Sequence, residues 1–189
     1  MMRTFVGVKI LLGTKMHSVL DEVRQELRYE KIKWVDLSTL HVTLFFLGDT
    51  TEPVAKVVCK FISDSFSQTN AFSLLISGLG AFGERGNPRV IWIGLEPNKH
   101  LNDIQHRVEQ LAVALGFQPD ARGFNPHITI ARVKGKSNAS LVYRVLSEYG
   151  PQIQQQVHID EVILYKSELT PIGAMYTKYC SQNLANRIG

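Results

Sequence analysis

The tetrapeptide His-x-Thr-x, apolar at both x positions, occurs twice in this chain, as His41-Val42-Thr43-Leu44 and as His127-Ile128-Thr129-Ile130. The copies lie 86 residues apart in 189, so each half carries one. Strand side chains alternate between faces, so each copy presents its His and Thr on one face and its apolar pair on the other. Two such strands side by side put two imidazoles and two hydroxyls on one cleft. Any fold for this chain has to satisfy that arrangement twice.

The surroundings of the two copies repeat as well. From Phe5 to His41 is 36 residues, and from Ile91 to His127 is also 36. From His41 to Phe72 is 31, and from His127 to Val157 is 30. Each half reads strand, helix, His-x-Thr strand, helix, strand. Residues 4–12 are β-like, and Thr14 opens a helix with Met16, Val19, Leu20, Val23 and Leu27 in one stripe. Thr51 and Pro53 open a second helix. Asn98 caps a third, which Gly116 ends, and Ser137 opens a fourth, stopped by Gly150-Pro151. Strands are expected at 72–79, 89–95, 157–166 and 174–180, with GLGAFGERGNP as a Gly-rich loop. Self-similarity at a fixed period outranks local assignments. It predicts an α+β, pseudo-two-fold fold: two antiparallel-rich sheets facing a central cleft, with helices on the outer faces. No linker divides the chain, so 1–189 is expected to be one domain with internal repeats at roughly 1–85 and 86–189.

Composition narrows the class. Apolar residues make up 44% and charged residues 20%, an ordinary globular balance with enough material for a core. No apolar run reaches the ~18 residues of a membrane helix. The N-terminal MMRTFVGVKILLG lacks a small-residue cleavage site and reads as a first strand. Cys59 and Cys180 form neither a zinc spacing nor a disulfide framework, which predicts reduced thiols and a cytoplasmic protein. A net charge of +4 is compatible with a polyanionic partner.

Paired imidazoles suit acid–base work near neutral pH, one accepting a proton while the other donates. Phosphoryl transfer without a covalent intermediate needs a base for water, an acid for the leaving oxygen and donors around the phosphoryl oxygens. The threonine two residues on supplies such a donor beside each histidine. A cyclic phosphodiester fits, because attack and departure occur on opposite sides of phosphorus. Two histidines are too few for a usual zinc shell, and the motifs hold no Asp, Glu or Cys, so no metal or other cofactor is expected. A single His-x-Thr would carry no such reading; two in matching repeat positions do.

The chain resembles the 2H phosphoesterase superfamily, and within it the bacterial and archaeal RNA 2′,3′-cyclic phosphodiesterases, historically called 2′-5′ RNA ligases. The resemblance runs through RTFVGVKI, LHVTLFFLG, GLGAFG…PRVIWIGL, LGF…RGFNPHITIARV and HIDEVILYKSELTPIGAMY. It implies hydrolysis of terminal 2′,3′-cyclic phosphates on RNA to 2′-phosphomonoesters, with reversible 2′-5′ joining also known in the family. It assigns His41 as proton donor to the leaving 3′-oxygen, His127 as proton acceptor from water, and Thr43 and Thr129 as phosphate ligands, with no metal. Its partners would be RNA ends or nucleotides bearing a cyclic phosphate, with no membrane and no obligate protein partner. Thr39 stands where the family often has Asn, and Arg122-Gly123-Phe124 where it often has Arg-Pro-Phe.

Arg132 resembles a family position associated with phosphate. Strict alternation turns it away from His127 and Thr129, so it reaches the cleft only if the strand bulges or ends there. Arg85, Arg89, Arg122 and Lys134 are cations that could follow an RNA backbone. Trp34, Phe82 and Phe124 could stack on a base, against a default of core or loop packing. His17, His100, His106 and His158 match no repeat position and are read as structural or exposed. Two other readings keep the same cleft: a phosphodiesterase acting on small cyclic nucleotides or 2′-5′ oligonucleotides, and a non-catalytic RNA-binding module.

Overall fold

The computed structural model describes residues 1–84, 86–170 and 173–185. Among them nine strands form one curled, antiparallel sheet in the order β7-β4-β5-β6-β3-β1-β8-β9, with β2 added beside β6. The strands are β1 (Met2–Lys9), β2 (Ile32–Trp34), β3 (His41–Thr50), β4 (Phe72–Glu84), β5 (Asn87–Leu95), β6 (His127–Val133), β7 (Gln154–Ile159), β8 (Glu161–Thr170) and β9 (Gly173–Asn183). Helices α1 (Thr14–Glu26), α2 (Glu52–Phe66), α3 (Lys99–Ala114) and α4 (Ala139–Tyr149) cover the convex faces.

The sheet is two four-stranded lobes joined at one point. β3-β1-β8-β9 make the first, and β6-β5-β4-β7 the second. They meet where β3 and β6 run antiparallel through a single pair, Val42 opposite Ile128. The expected α+β pseudo-two-fold architecture is therefore present, with the two sheets touching edge to edge beneath the cleft. The lobes do not coincide with the sequence halves. β4 lies in the first half but joins the second lobe, and β8 does the reverse. The helices cross too: α1 follows β1 yet packs beside α4 on the second lobe, while α3 follows β5 yet packs on β3.

The helix stripes are buried largely as the periodicity predicts. Met16, Val19, Leu20, Val23 and Leu27 are almost wholly enclosed. Along α2 the enclosed face is Ala55, Val58, Ile62 and Phe66, with Val57 turned outward. Asn98 caps α3 by accepting from the Leu101 amide. Asn138, one residue past the expected Ser137, does the same for α4 through Leu141. No helix among the described residues is long and apolar enough to cross a membrane.

Three expectations need correction. The glycine-rich stretch from Gly78 to Gly83 is strand, not loop. Gly80 sits under the indole of Trp92, where a Cβ would fall 2.3 Å from the ring, so glycine there makes room for an aromatic rather than for a turn. The strand expected over 157–166 is two strands bent apart at Asp160, β7 pairing with β4 and β8 with β1 at opposite ends of the sheet. Cys59 and Cys180 are not free thiols but a disulfide, with Cα atoms 6.0 Å apart. Helix α2 lies across β8 and β9 and brings residue 59 over residue 180, a contact between residues 121 apart that no local spacing announces.

Candidate active site

The Val42–Ile128 pair is the pivot of the site. Extending this antiparallel register by one residue sets His41 opposite Thr129 and Thr43 opposite His127. Directly opposed side chains on one face are close neighbours. A half-turn about the pivot exchanges the two motifs. Val42, Leu44, Ile128 and Ile130 point into the cores beneath and are almost fully buried.

Both imidazoles are held in the same way. Nδ1 of His41 lies 2.8 Å from the carbonyl of Thr39, and Nδ1 of His127 lies 2.8 Å from the carbonyl of Asn125. A carbonyl only accepts, so Nδ1 donates in each case. Nε2 is left as the reactive nitrogen, able to take a proton when neutral and to give one when charged.

A bulge follows each motif at the same residue. Pairing of β6 with β5 jumps from Trp92–Thr129 to Ile91–Ala131, leaving Ile130 as the extra residue. Pairing of β3 with β1 jumps from Gly7–Thr43 to Val6–Phe45, leaving Leu44 as the extra residue. The fourth residue of each tetrapeptide is therefore unpaired, and the side chain two positions later swings back to the cleft. In β6 that side chain is Arg132, which lines the cleft with His127 and Thr129, so the condition set by the sequence is met. In β3 it is Phe46, 47% exposed, with the Arg3 guanidinium 5.0 Å from its ring centre. The symmetry of the backbone thus delivers a cation from one lobe and an aromatic face from the other. The sequence reading missed Phe46; its signal was the repeat itself, which matches residue 46 to residue 132.

The two histidines sit in different environments. His41 is packed by Phe5, Tyr165 and Tyr176, with ring centres 4.7, 5.7 and 4.9 Å away. Burial pushes its pKa below the ordinary imidazole value. The Thr39 carbonyl opposes that shift, and the positive charges of His127 and Arg132 add to it. His127 meets the edge of Phe82 at 4.8 Å. The cleft has a volume of about 630 Å³ and extends under the 118–125 loop toward Gln105 and Glu109 of α3. Gln105 is buried and donates to Glu109.

The other candidates divide. Phe82 and Phe124 line the cleft, whereas Trp34 packs under Arg24 in β2. Arg122 borders the cleft, but Asp120 grips it with two side-chain hydrogen bonds, and the guanidinium in turn holds that carboxyl down at about 2. Arg89 and Lys134 are exposed and do not line the cleft, and Arg85 lies outside the described residues. Of the remaining histidines, His100 stacks on Phe72 and His106 bonds Gln110. Among the described residues no three His, Cys, Asp or Glu side chains converge as a metal shell.

A duplicated, curled antiparallel sheet of this kind is the fold of a 2H phosphoesterase. The chain belongs to the 2′-5′ RNA ligase superfamily, whose family model matches residues 16–171. It is 30% identical over 177 residues to an RNA 2′,3′-cyclic phosphodiesterase of Methanothermobacter thermautotrophicus, covering 93% of this chain and 95% of that one. It is 31% identical over 178 residues to the protein of the same name from Aquifex aeolicus, with 93% of each covered. Among solved structures, a Thermus thermophilus protein, TT0787, superposes with a TM-score of 0.75 at 25% identity, over 98% of this chain and 99% of that one. E. coli LigT complexed with 3′-AMP superposes at 0.74 with 21% identity, over 98% and 99%.

Proposed function

We propose that this protein is a metal-independent RNA 2′,3′-cyclic phosphodiesterase that leaves a 2′-phosphomonoester. The observation that carries the reading is the antiparallel crossing of the two motifs at Val42 and Ile128, with both imidazoles anchored through Nδ1 and Arg132 turned in by the Ile130 bulge. His127 Nε2 takes a proton from water as its oxygen bonds to phosphorus. The P–O3′ bond breaks on the other side, and protonated His41 gives its Nε2 proton to O3′. The product carries a 2′-phosphate and a free 3′-hydroxyl, and one proton has passed in net from His41 to His127, restored through solvent. Thr43 and Thr129 donate to the non-bridging oxygens, and Arg132 offers a two-pronged charge to the same group. Phe46 supplies a stacking face for the terminal base. The same groups run backwards join a 2′-5′ linkage.

Residues 1–189 act in this reading as one domain on RNA ends, without an obligate protein partner. A cytoplasmic location fits an RNA substrate. The names of the relatives, RNA 2′,3′-cyclic phosphodiesterases, support the substrate class. Incubation with RNA ending in a 2′,3′-cyclic phosphate, followed by identification of the product, tests it. A 2′-phosphate is expected, with turnover unchanged by EDTA and abolished by His41→Ala and by His127→Ala. A 3′-phosphate would reverse the assignment of the leaving oxygen, and near-wild-type rates in either variant would remove the paired acid–base mechanism.

A further inference from the structure

Beyond His41 lies a second concavity. It holds about 270 Å³ and is lined by Lys9, Ser38, Thr39, Tyr165, Tyr176 and Lys178, with Glu161 and Ile163 at its floor. His41 itself lines neither hollow, but it touches the wall of the second. Its Nδ1 donates to Thr39, and its ring packs against Tyr165 and Tyr176, all of which line the second hollow. Lys9 stands directly across the β1–β3 ladder from His41, on the same face. In the other lobe the residue opposite His127 is Gly94, so the pseudo-two-fold is broken here by a cation beside one histidine only.

The hollow's chemistry is that of a site for an anion joined to a ribose. Lys178 is held 2.6 Å from Glu161, which sets its ammonium at the rim. Lys9 acts on the same carboxylate only through space, so two lysines face one acid and one positive charge is left over. Burial and the Glu161 charge push the Tyr165 phenol up to about 12, which keeps its hydroxyl a donor at any physiological pH. Ribose geometry supplies the direction. O3′ and C5′ hang on neighbouring ring carbons, so a sugar that places O3′ at His41 carries its 5′-phosphate past that residue. Cations gripped elsewhere do not compete: the Arg122 charge is offset by Asp120 at the opposite end of the cleft.

We propose that the hollow formed by Lys9, Tyr165, Tyr176 and Lys178 binds the phosphodiester and sugar immediately 5′ of the terminal cyclic nucleotide. The protein then reads at least two nucleotides of an RNA end and discriminates against mononucleotides. This rests on the assignment of His41 as donor to O3′. The test compares adenosine 2′,3′-cyclic phosphate with the dinucleotide ApA carrying the same terminus, for wild type and for Lys9→Gln, Lys178→Gln and the double variant. Wild type is expected to show kcat/KM about tenfold or more higher on the dinucleotide. The double variant is expected to lose about tenfold there, mainly in KM, to change less than about twofold on the mononucleotide, and to flatten the salt dependence on the dinucleotide by about one phosphate contact. Retained mononucleotide turnover shows that the variants are folded. Equal losses on both substrates, or no loss on the dinucleotide, would overturn the subsite while leaving the phosphodiesterase in place. A wild type inert on both substrates would overturn the phosphodiesterase reading and the subsite with it.

Discussion

Arg132 owes its place in the cleft to Ile130, the residue that has no partner in β5. Arg132→Ala is expected to lower kcat by roughly 10²–10³, the usual cost of removing a donor aimed at developing phosphoryl charge. Arg132→Lys should recover only part of it, because an ammonium returns the charge without the fork. Steady-state rates on a cyclic-phosphate dinucleotide decide, and a loss under about threefold in the alanine variant would remove the arginine from the reaction. His41 makes a second prediction. As the acid it works only when protonated, and burial holds its pKa below the ordinary value of 6.5. The protonated fraction therefore falls as pH rises through that lowered value, and kcat/KM, which reports the free enzyme, should decline on the alkaline side from below pH 6.5. A bound phosphate anion favours the imidazolium, so the alkaline limb of kcat should lie higher. A kcat/KM limb above pH 7 would take the acid role away from His41. The four motif residues stood out in the sequence because repetition marked them. Phe46 was not, because in LFFLG it is one apolar residue among several until the bulge at Leu44 turns it outward.

Bulges, bends and cross-links decide at the level of elements what periodicity leaves open. The helices were readable because their stripes are strict and their covering sheet is uniformly apolar. The strands were less so. Alternation shows that 157–166 is extended, but not that Asp160 sends its two ends to opposite margins of the sheet. Gly80 reads as a loop residue until Trp92 is found lying on it. The Cys59–Cys180 bond ties α2 to β9, the outermost strand of the first lobe, which carries Tyr176 and Lys178. A cross-link closing a loop of this length stabilises by about 2–5 kcal/mol, chiefly by restricting the unfolded chain. Reduction should therefore lower Tm by about 5–15 °C for a chain of this size. The Cys59→Ser/Cys180→Ser protein should melt at the reduced temperature and show no response to reductant. Thermal melts with and without dithiothreitol check this, and an unchanged Tm on full reduction would show that the bond contributes nothing to stability.

The whole molecule is organised by exchange between its halves. The expected sequence repeats, roughly 1–85 and 86–189, are not the lobes: neither half is a lobe. The first half supplies β1 and β3 to one lobe, then sends β4 across to pair with β5 and β7 of the other. The second half returns β8 to pair with β1. A repeat can be read from spacing alone, whereas the exchange depends on pairings between residues about 80–160 apart, which spacing does not contain. Its consequence is mechanical as well as topological. The two histidines belong to different halves and different lobes, so their alignment depends on both lobes being complete; the lobes' strands pair at Val42 with Ile128, and the chain after β9 bridges to the residues before β4 at Asn70 and Ala185. Each half alone would leave a lobe with missing neighbours and open strand edges, burying too little apolar surface to offset chain entropy. Fragments 1–85 and 86–189, made separately, should therefore lack a cooperative melt and any cyclic phosphodiesterase activity. The intact chain should unfold in one transition, coincident by far-UV circular dichroism and by tryptophan fluorescence, since Trp34 and Trp92 both report on the second lobe while dichroism averages over the two. Fluorescence that melts apart from dichroism, or one fragment that folds alone with a sharp transition, would show that the lobes are independent and that their junction does not couple them.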